Sequence, residues 1–483
     1  MASNSPEIIQ EIQAKVLTII EQMTGEAANN MTAYEAEKGV LSAMLSLGAS
    51  CLSLFYQNQA SQYMAKTAIN AKGIDLPFHS MKQRHQMSLF GKIAITRAYY
   101  YRAGEGGSYP LDDAINLAPT LYSDVVQELY AELAVEQAYQ SGNEFMQRWL
   151  NLSVSSRAVQ AIVAESGAEV PAFYEQVAPP DPERQQSILV AQADGKGVPQ
   201  IVATPAADAV RPKRGQARSR KKEAIVTTAY TIAPRPRTLA ATIASLFNGS
   251  DQVYDSDTTS SSVQPIDKML WATLEGKPTA MQQLQSRVAE REHPKVQYRI
   301  ALCDGAKPLQ EQFMTLFPDF RLVLDFIHAY EYLWKAANLL FKEDDPQRLT
   351  WVKSQTTHLL DSATASVIDH LRERADPLSG RVAERLHKIA NYFERNSPFM
   401  DYATCLQLGL PIASGVIEGA CRHIVKDRME LSGMRWSRNG AETLLQLRCV
   451  RHNGHWDDFW HYHRSLRQTV RSGTHISSLP LAG

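Results

Sequence analysis

The feature that most constrains this chain is an apolar strand pattern followed at once by Asp-Gly, which occurs twice. SILVAQA leads into Asp194-Gly195, and VQYRIALC leads into Asp304-Gly305. An aspartate at the carboxyl end of a strand is held on rigid backbone at the open edge of a sheet, where the sites of α/β proteins usually lie. The glycine permits a tight turn and leaves room beside the carboxylate. A single copy is usually just the start of a turn, but two copies predict a paired-carboxylate site.

The sequence pattern from residue 187 to residue 326 predicts an α/β core with a mixed sheet. In chain order, three strands are followed by a helix, a strand, a short helix and a last strand. The strands are predicted at 187–197, 223–232, 269–274, 296–303 and 321–326, and the helices at 278–292 and 310–317. A late helix carries a third acid, Glu418. Three carboxylates at one strand edge stay ionised together only beside a cation, and hard oxygen ligands select Mg²⁺ or Mn²⁺. Two such ions activate a water or 3′-hydroxyl on one side of a phosphodiester and stabilise the leaving oxygen on the other.

Net charge excludes a generally basic nucleic-acid-binding surface. The 483 residues include 50 basic and 51 acidic side chains, and 44% of the residues are hydrophobic, which also excludes wholesale disorder. One segment departs from this balance, because residues 211–222 contain no acid and seven bases. Contact with a polyanion is favoured there, and a solvated loop is the alternative. The bases are Arg211, Lys213, Arg214, Arg218, Arg220, Lys221 and Lys222.

Cysteine usage and hydropathy indicate the compartment. The five cysteines are far apart and never form a C-x-x-C pair, which argues against a disulfide framework and a cysteine-rich zinc module. The N-terminal residues show no apolar signal-peptide region. The most apolar stretch, 40–56, contains four serines and is too short to span a bilayer. We therefore expect a cytoplasmic protein without a membrane partner.

The N-terminal half is predicted to be mainly helical. Helix-start signals at Ser5-Pro6-Glu7 and a capping box at Thr32–Glu35 predict a helical hairpin, for packing or dimerisation, within 1–84. Residues 85–170 are predicted to form a β-hairpin with a glycine turn at 104–107 and then a helix-turn-helix across 143–167. A proline-rich linker at 171–184 is predicted to end this half.

The helix-turn-helix offers candidate DNA contacts. Early, exposed positions of its second helix are of types that contact phosphates and base edges in a major groove. They are Ser156, Arg157 and Gln160. Plain helical packing is the alternative, because two helices and a turn are common in any α-helical bundle.

With these residues in order, the chain resembles the DDE transposases, and more narrowly the Kra-type insertion-sequence transposases of prokaryotes. The resemblance covers most of residues 85–460. It rests on the motifs GKIAITRAYYY…YPLD (91–112), ADGKGV (193–198), ALCDGAKPL (301–309) with LDFIHAYEYLW (324–334), and SGVIEGACRHIVKDRMELSGMRWSRNGAETLLQLR (414–448). Asp325 and His328 fit the "Cys or Asp, two residues, His" pattern that follows the second catalytic Asp in these groups.

The resemblance implies an α+β multidomain fold. An α-helical N-terminal half would precede an RNase H-like, retroviral-integrase-like catalytic core. That core would begin at 185–340, be interrupted by an all-α insertion at 341–410, and end with a helix and helical tail at 411–483.

The activity implied by the resemblance is DNA transposition. The protein would bind the terminal inverted repeats of its element, cut strands, and join the 3′-hydroxyls to double-stranded target DNA. Asp194, Asp304 and Glu418 would be the catalytic residues and the ligands of two Mg²⁺ or Mn²⁺ ions. Synapsis of two ends implies a homodimer or a larger assembly.

Other residues near the acids are secondary candidates. Asp325 and His328 would position the active-site wall or contact DNA, or form a structural pair. Trp436 would stack on a base or be buried as a structural residue. The basic residues after Glu418 would hold phosphates, or form a solvated face; they are Arg422, Lys426, Arg428, Arg435 and Arg438.

One departure from the family pattern concerns zinc. Family members often carry a cysteine pair in the hairpin after the tyrosine run, whereas residues 99–112 contain no cysteine. We therefore expect no zinc, and expect Tyr99–Tyr101 and Tyr109 to hold the hairpin by packing.

Two other functions remain as alternatives. One is a catalytically inactive helix-turn-helix DNA-binding protein derived from a transposase. The three retained acids argue against this alternative, because an inactive derivative should lose carboxylates that repel one another when no metal is bound. The other is an RNase H-type nuclease acting on RNA–DNA hybrids. A large helical insertion and a separate DNA-binding half argue against it, because simple hydrolysis needs no synapsis of two ends.

Overall fold

The computed structural model describes residues 5–70, 72–201, 221–247, 263–431 and 433–472. Contacts divide the chain into two compact units, the first drawn from Met1–Val177 and His455–Gly483 and the second from Ala178–Gly454. Both units contain helices and a sheet, so the predicted mixed α+β, multidomain class is confirmed.

The α-helices of the described residues, in chain order, are α1 (Ser5–Thr24), α2 (Ala33–Gln62), α3 (Pro110–Ala114), α4 (Asp124–Glu136), α5 (Tyr139–Leu150), α6 (Ser156–Gly167), α7 (Val170–Tyr174), α8 (Leu239–Phe247), α9 (Lys277–Ala289), α10 (Lys307–Leu316), α11 (Phe326–Leu340), α12 (Pro346–Leu360), α13 (Thr364–Ala375), α14 (Gly380–Asn396), α15 (Tyr402–Leu408), α16 (Gly415–Ala420), α17 (Asp427–Met429), α18 (Arg438–His452) and α19 (Trp456–Ser472). A π-helical segment, Cys421–Lys426, joins α16 to α17. The strands are β1 (Thr67–Ile69), β2 (Asp75–Ser88), β3 (Gly91–Arg102), β4 (Gly106–Ser108), β5 (Ile188–Pro199), β6 (Lys221–Ile232), β7 (Ile266–Thr273), β8 (Tyr298–Cys303) and β9 (Arg321–Leu324).

Helices α1 and α2 form the predicted hairpin, and the capping box is present. The Thr32 side chain accepts a hydrogen bond from Glu35 N at 3.3 Å, while Glu35 Oε2 accepts one from Thr32 N at 2.8 Å. Lys15 of α1 donates to Ser50 Oγ of α2 at 2.7 Å. These contacts fix the second helix start and join the two helices.

Helix α2 is longer than the apolar stretch 40–56 on which the bilayer argument rests. By length and composition alone it meets the requirement for a membrane span, and 11% of its most apolar window is buried. The statement that this region is too short to span a bilayer is therefore wrong. The core helices of soluble proteins meet the same requirement, so the expected absence of a membrane partner stays a prediction.

The prediction that residues 1–84 are only helical is wrong from Thr67 onward, where β1 and β2 begin. The sequence of β2, DLPFHSMKQRHQMS, is polar and contains a proline, so no strand pattern is visible in it. Its backbone groups are satisfied by antiparallel pairing with β3, from Phe78↔Tyr100 to Ser88↔Gly91. Long-range pairing here overrides weak local preference.

The tyrosines of the following hairpin pack together as the sequence predicts. The Tyr99 ring centroid lies 4.8 Å from that of Tyr109 and 6.1 Å from that of Tyr101. The Arg97 guanidinium lies 4.0 Å from the Tyr109 ring centroid, and its Nε is 2.6 Å from Asp112 Oδ1. A buried ion pair and an aromatic stack therefore hold this hairpin.

Helices α5 and α6 occupy the segment predicted to be a helix-turn-helix, with α5 beginning four residues earlier than expected. The helix-turn-helix assignment itself stays a prediction. Asn151 makes the turn in the left-handed region at φ 52°, and the Ser155 side chain caps α6 by accepting from Ala158 N at 3.2 Å. Val159 and Ile162 are buried, as predicted.

The predicted linker at 171–184 begins with a helix instead of a loop. Phe173 and Tyr174 of α7 are each 1% exposed. The Phe173 ring lies 5.5 Å from Phe459 of α19, which explains why this segment is ordered. The assignment of 411–483 to one domain is likewise wrong, because α19 belongs to the first unit. Within that unit, His463 Nδ1 lies 2.6 Å from Glu169 Oε2.

The second unit contains all five strands that the sequence predicts for the α/β core. They form one sheet in the order β7-β6-β5-β8-β9. Strand β6 is antiparallel to β5 and β7, whereas β5, β8 and β9 run parallel. In order of appearance along the chain, the strands are therefore arranged 3-2-1-4-5.

Both faces of this sheet are covered by helices. On one face, α9 and α10 pack their buried residues against alternate side chains of β5, β6 and β8. On the other face, the helices from α11 to α15 share a core with the opposite side chains of β5 and β8, such as Val190 and Ile300. Residues 341–410 thus form one core with the sheet and do not pack apart from it.

The β7 edge of the sheet is covered by α18. Asn453 donates to Leu270 O at 3.0 Å and accepts from Leu270 N at 2.8 Å, so its side chain pairs with the strand as another backbone would. Glu442 accepts from Leu274 N at 2.6 Å. These contacts satisfy backbone N–H and C=O groups at the sheet edge that could otherwise pair with a strand of another chain.

Candidate active site

Asp194 and Asp304 lie on neighbouring parallel strands, at the end where their pairing stops. Strand β5 continues through Asp194 to Pro199 along β6, so Asp194 is not at the strand terminus as predicted. Its pairing with β8, however, ends at Gln192↔Leu302, and Asp304 follows the last residue of β8. Both aspartates are half-buried. Adjacent parallel strands thus bring the two Asp-Gly copies to one edge.

Local hydrogen bonds hold each of these aspartates. Asp194 Oδ1 accepts from Gly195 N at 2.6 Å, and Asp304 Oδ1 accepts from Ala306 N at 3.0 Å. The Cys421 thiol donates to Asp194, which ties the π-helical segment to β5. Such segments interrupt α-helices most often at functional sites.

Glu418 lies on α16, one turn before the π-helical segment, and is half-buried. Ser414 Oγ donates to Glu418 Oε1 at 3.3 Å. Burial raises the pKa of Glu418, and the charges of Asp325 and Asp194 add to the increase. Burial also raises the pKa of Asp304, with the charge of Asp194 adding to it. The Asp194 charge therefore acts on both other acids of the predicted triad.

Asp325 and His328 form a tight pair beside Glu418. Asp325 is fully buried, and its carboxylate accepts from His328 Nδ1 at 2.6 Å, His328 N at 3.1 Å and Ser414 N at 2.8 Å. Burial alone would raise the pKa of Asp325, but the bonds from His328 and Ser414 lower it overall. The Asp325 hydrogen bond in turn raises the pKa of His328 to about 9. At neutral pH the pair is an imidazolium bound to a carboxylate.

The distances between potential metal-ligand atoms differ between two sets of residues, the predicted triad and the set Asp325, His328 and Glu418. Within the described parts of the chain, one group of three has its ligand atoms within 4.8 Å of one another: Asp325, His328 and Glu418. The predicted triad does not meet this criterion. Asp325 already accepts three hydrogen bonds, from His328 Nδ1, His328 N and Ser414 N, so most of its lone pairs are used within the protein.

Two of the secondary candidates are buried. For Trp436 this agrees with the structural alternative, whereas for Arg428 it contradicts both the phosphate contact and the solvated face that were predicted. Arg428 is 0% exposed and its guanidinium lies 4.9 Å from the Trp436 ring centroid. Trp436 is 7% exposed, and its indole Nε1 donates to Met429 O at 3.0 Å. Its backbone also accepts from Ile201 N at 2.8 Å. A base cannot stack on an indole that is covered in this way.

The other cations after Glu418 are exposed. They are Arg422, Lys426, Arg435 and Arg438. Arg438 is paired with Glu275 at 2.7 Å, and Arg422 lies 3.7 Å from Asp427. Phosphate contact through these side chains stays a prediction.

The predicted basic segment is only partly described. Its residues Arg211, Lys213, Arg214, Arg218 and Arg220 lie outside the described residues. Lys221 and Lys222 begin β6 and are exposed, and Lys221 is paired with Glu430.

In the first unit, the three predicted contact residues lie on the surface of α6. Ser156, Arg157 and Gln160 are all exposed, whereas Val159 and Val163 of the same helix are buried. Their contact with a major groove stays a prediction.

Sequence reasoning missed two residues near the acids. Glu223 of β6 lies opposite Gly197 of β5, and its charge adds to the raised pKa of Asp304. Tyr392 of α14 packs against Gly305, where a Cβ would lie 2.7 Å from the tyrosine hydroxyl oxygen. The antiparallel register would have revealed Glu223, but no local pattern indicates Tyr392, which is far away in the sequence.

Comparison with known proteins gives little further information. No protein-family model matches the chain, and no curated protein sequence matches it. Among solved structures, the chain is similar to the Drosophila P element transposase strand transfer complex, at 9% identity and a TM-score of 0.26. That match covers 72% of this chain and 82% of the other. A likeness this weak carries no argument, so the functional conclusion rests on the residues of the site.

Proposed function

We propose that this protein is a DDE-type DNA transposase that cuts the ends of its element and joins their 3′-hydroxyls to target DNA. The observation that carries the proposal is the placement of the acids: Asp194 and Asp304 lie at the same edge of the adjacent parallel strands β5 and β8, and Glu418 lies on α16, which contacts β5. These acids are far apart in the sequence, yet the charge of Asp194 raises the pKa of both others. Structural carboxylates are rarely grouped against their mutual repulsion without a functional reason.

The sheet supports the same proposal. Its order of 3-2-1-4-5, with only the second strand antiparallel, is the order expected of an RNase H-like core. Asp194 lies in the first of these strands in chain order, and Asp304 directly follows the fourth. The helices between β9 and Glu418 would correspond to the all-α insertion.

The donor set fits two divalent cations of the Mg²⁺ or Mn²⁺ type. Three carboxylates, two of them with raised pKa values, leave a local excess of negative charge that a hard cation would offset. Asp194, Asp304 and Glu418 would hold the ions. When bound, such ions supply an activated water or 3′-hydroxyl and stabilisation of the leaving oxygen.

The remaining residues of the site would position these acids. Asp325 accepts from Ser414 N, the residue one turn before Glu418, and so would fix the start of the helix that carries that acid. His328 would place a positive charge beside Glu418 and Asp304 and partly offset the carboxylates. We propose a positioning role for this pair and no ligand role.

DNA recognition would use surfaces away from the acids. In the first unit, Ser156, Arg157 and Gln160 would contact the terminal repeats through α6. In the second unit, Lys221, Lys222 and the exposed bases after Glu418 would contact phosphates. A homodimer or larger assembly would bring two ends together.

A cleavage and joining assay tests the proposal. The DNA that flanks the coding region is placed around a marker and incubated with Mg²⁺ and purified protein, either wild type or Asp304→Ala. We expect end cleavage and joining with the wild type only, and end binding with both. Binding without cleavage by the wild type would overturn the catalytic proposal.

A further inference from the structure

A cleft of about 630 Å³ opens directly beside Asp304. One wall is the turn Asp304–Ala306, and the other walls come from α11 and α14. Lys388, Tyr392 and Arg395 contribute the α14 wall. The cleft therefore joins the helical region between β9 and Glu418 to the second acid of the proposed active site.

The cleft is rich in positive charge. Lys388 and Arg395 have no carboxylate partner among the described residues. Arg395 Nη2 donates to Gly305 O at 2.8 Å, which fixes the guanidinium against the turn after Asp304. A guanidinium has five N–H donors, so others stay available after this bond. Asp304 is the one carboxylate in the lining.

A stacked tyrosine pair forms the floor. The rings of Tyr332 and Tyr392 are 3.8 Å apart with a 9° interplanar angle. Lys335 Nζ lies 4.2 Å from the Tyr332 ring centroid, and the Arg395 guanidinium lies 5.7 Å from that of Tyr392. Because each ring is already stacked and has a cation over it, the floor suits an anion better than a nucleobase.

The Tyr392 hydroxyl is an unused donor in the wall of this cleft, close to Gly305. Its oxygen is buried and has no hydrogen-bond partner within the described part of the chain. A tyrosine hydroxyl keeps its proton at neutral pH and can therefore donate. A buried hydroxyl without a partner is unfavourable unless a ligand supplies the acceptor.

We propose that this cleft binds one phosphate of the DNA strand that passes Asp304, held by Lys388, Arg395 and the Tyr392 hydroxyl. Two cations and one neutral donor around an anion make the charge-assisted bonds by which phosphates are recognised. The phosphate would lie beside the scissile one and fix the register of the strand against the acids. This inference rests on the proposed transposase function and adds a binding subsite to it.

The test is a double-mutant cycle between protein and DNA. Duplexes that carry the element's end are synthesised with a single neutral methylphosphonate at successive positions around the cut. Their dissociation constants are measured for the wild type, Lys388→Gln, Tyr392→Phe and Arg385→Gln. Arg385 is an exposed arginine on α14 that does not line the cleft, so its variant is the matched control for lost charge.

In the wild type, we expect one position next to the cut to bind about tenfold more weakly when neutralised. This loss of affinity on neutralising the phosphate should be smaller in Lys388→Gln and in Tyr392→Phe, and it should be unchanged in Arg385→Gln. If the wild type cuts the DNA and no position is coupled to Lys388 or Tyr392, the cleft binds no phosphate and the transposase proposal stands. If the wild type neither binds nor cuts, both proposals are wrong.

Discussion

His328 Nδ1 lies 2.6 Å from Asp325 Oδ2, and this bond makes one charged pair from two side chains beside Glu418. Asp325 also accepts from Ser414 N, so the pair connects the start of α11 to the start of α16. Residues far apart in the sequence are thereby fixed at the sheet edge that carries Asp194 and Asp304. The pair therefore holds the start of the helix that carries Glu418, which is the positioning role proposed for it.

Replacing Asp325 with Asn should destabilise the second unit by about 3 kcal/mol, because a buried carboxylate that accepts from three donors is lost. Urea unfolding checks the stability, and NMR titration checks the pKa of His328. We expect that pKa to fall from about 9 toward its ordinary value of 6.5. A His328 pKa that stays near 9 would show that the Asp325 bond does not cause the shift.

The same pair predicts a pH dependence of stability. Folding raises the pKa of His328 from 6.5 to about 9, so its stabilising effect is complete below 6.5 and is lost as pH rises through 9. Folding lowers the pKa of Asp325 from 3.8, so its effect is present above 3.8 and is lost as pH falls further. The Asp325–His328 pair should therefore stabilise the protein most between pH 3.8 and pH 6.5.

The measurement is the free energy of unfolding of wild type and His328→Gln at about pH 6 and about pH 10. The difference between the two proteins should be larger at the lower pH. An equal difference at both values would contradict a raised His328 pKa.

Gly305→Ala should destabilise the protein by about 1–3 kcal/mol, because the added methyl group meets the ring of Tyr392, which is stacked on Tyr332 and cannot easily move. Gly195→Ala is the matched control, since it also follows a proposed catalytic Asp but meets only the flexible end of Glu223. Gly195→Ala should lower the free energy of unfolding by less than about 1 kcal/mol. Equal costs in urea unfolding would show that Tyr392 does not constrain position 305.

Arg422 and Arg428, two of the arginines after Glu418, should behave differently when replaced. Arg428→Gln should lower the free energy of unfolding by about 3 kcal/mol, because the guanidinium is fully buried over Trp436. Arg422→Gln should change stability by less than about 0.5 kcal/mol, since that side chain is exposed. In DNA titrations, Arg422→Gln should weaken binding. A stable Arg428→Gln protein with weakened DNA binding would reverse the assignment.

The α/β core was predictable because its strands are apolar runs with clear turn signals. All five strands and the two Asp-Gly copies followed from local patterns alone. Strand β2 was not predictable, because its polar residues become a strand only through pairing with β3. The same limit applies to the cleft, since nothing near Tyr392 in the sequence indicates that it packs on Gly305.

The burial of Arg428 and Trp436 shows a second limit. Both residues have types that often contact nucleic acid, and their spacing after Glu418 fitted that function. Their exposure depends on contacts with Met429 and with the end of β5, which a helical pattern does not reveal. Residue type left both DNA contact and burial open for Trp436, and it gave no sign that Arg428 is buried.

The most direct test of the account is Mn²⁺ binding to the purified protein, measured by electron paramagnetic resonance together with DNA cleavage. The variants are Asp194→Asn, Asp304→Asn, Glu418→Gln and His328→Gln. We predict that each of the first three loses both Mn²⁺ binding and cleavage, whereas His328→Gln keeps Mn²⁺ binding. Mn²⁺ binding that survives Asp194→Asn and Asp304→Asn but is lost in His328→Gln would contradict the account, because it would assign the metal to Asp325, His328 and Glu418.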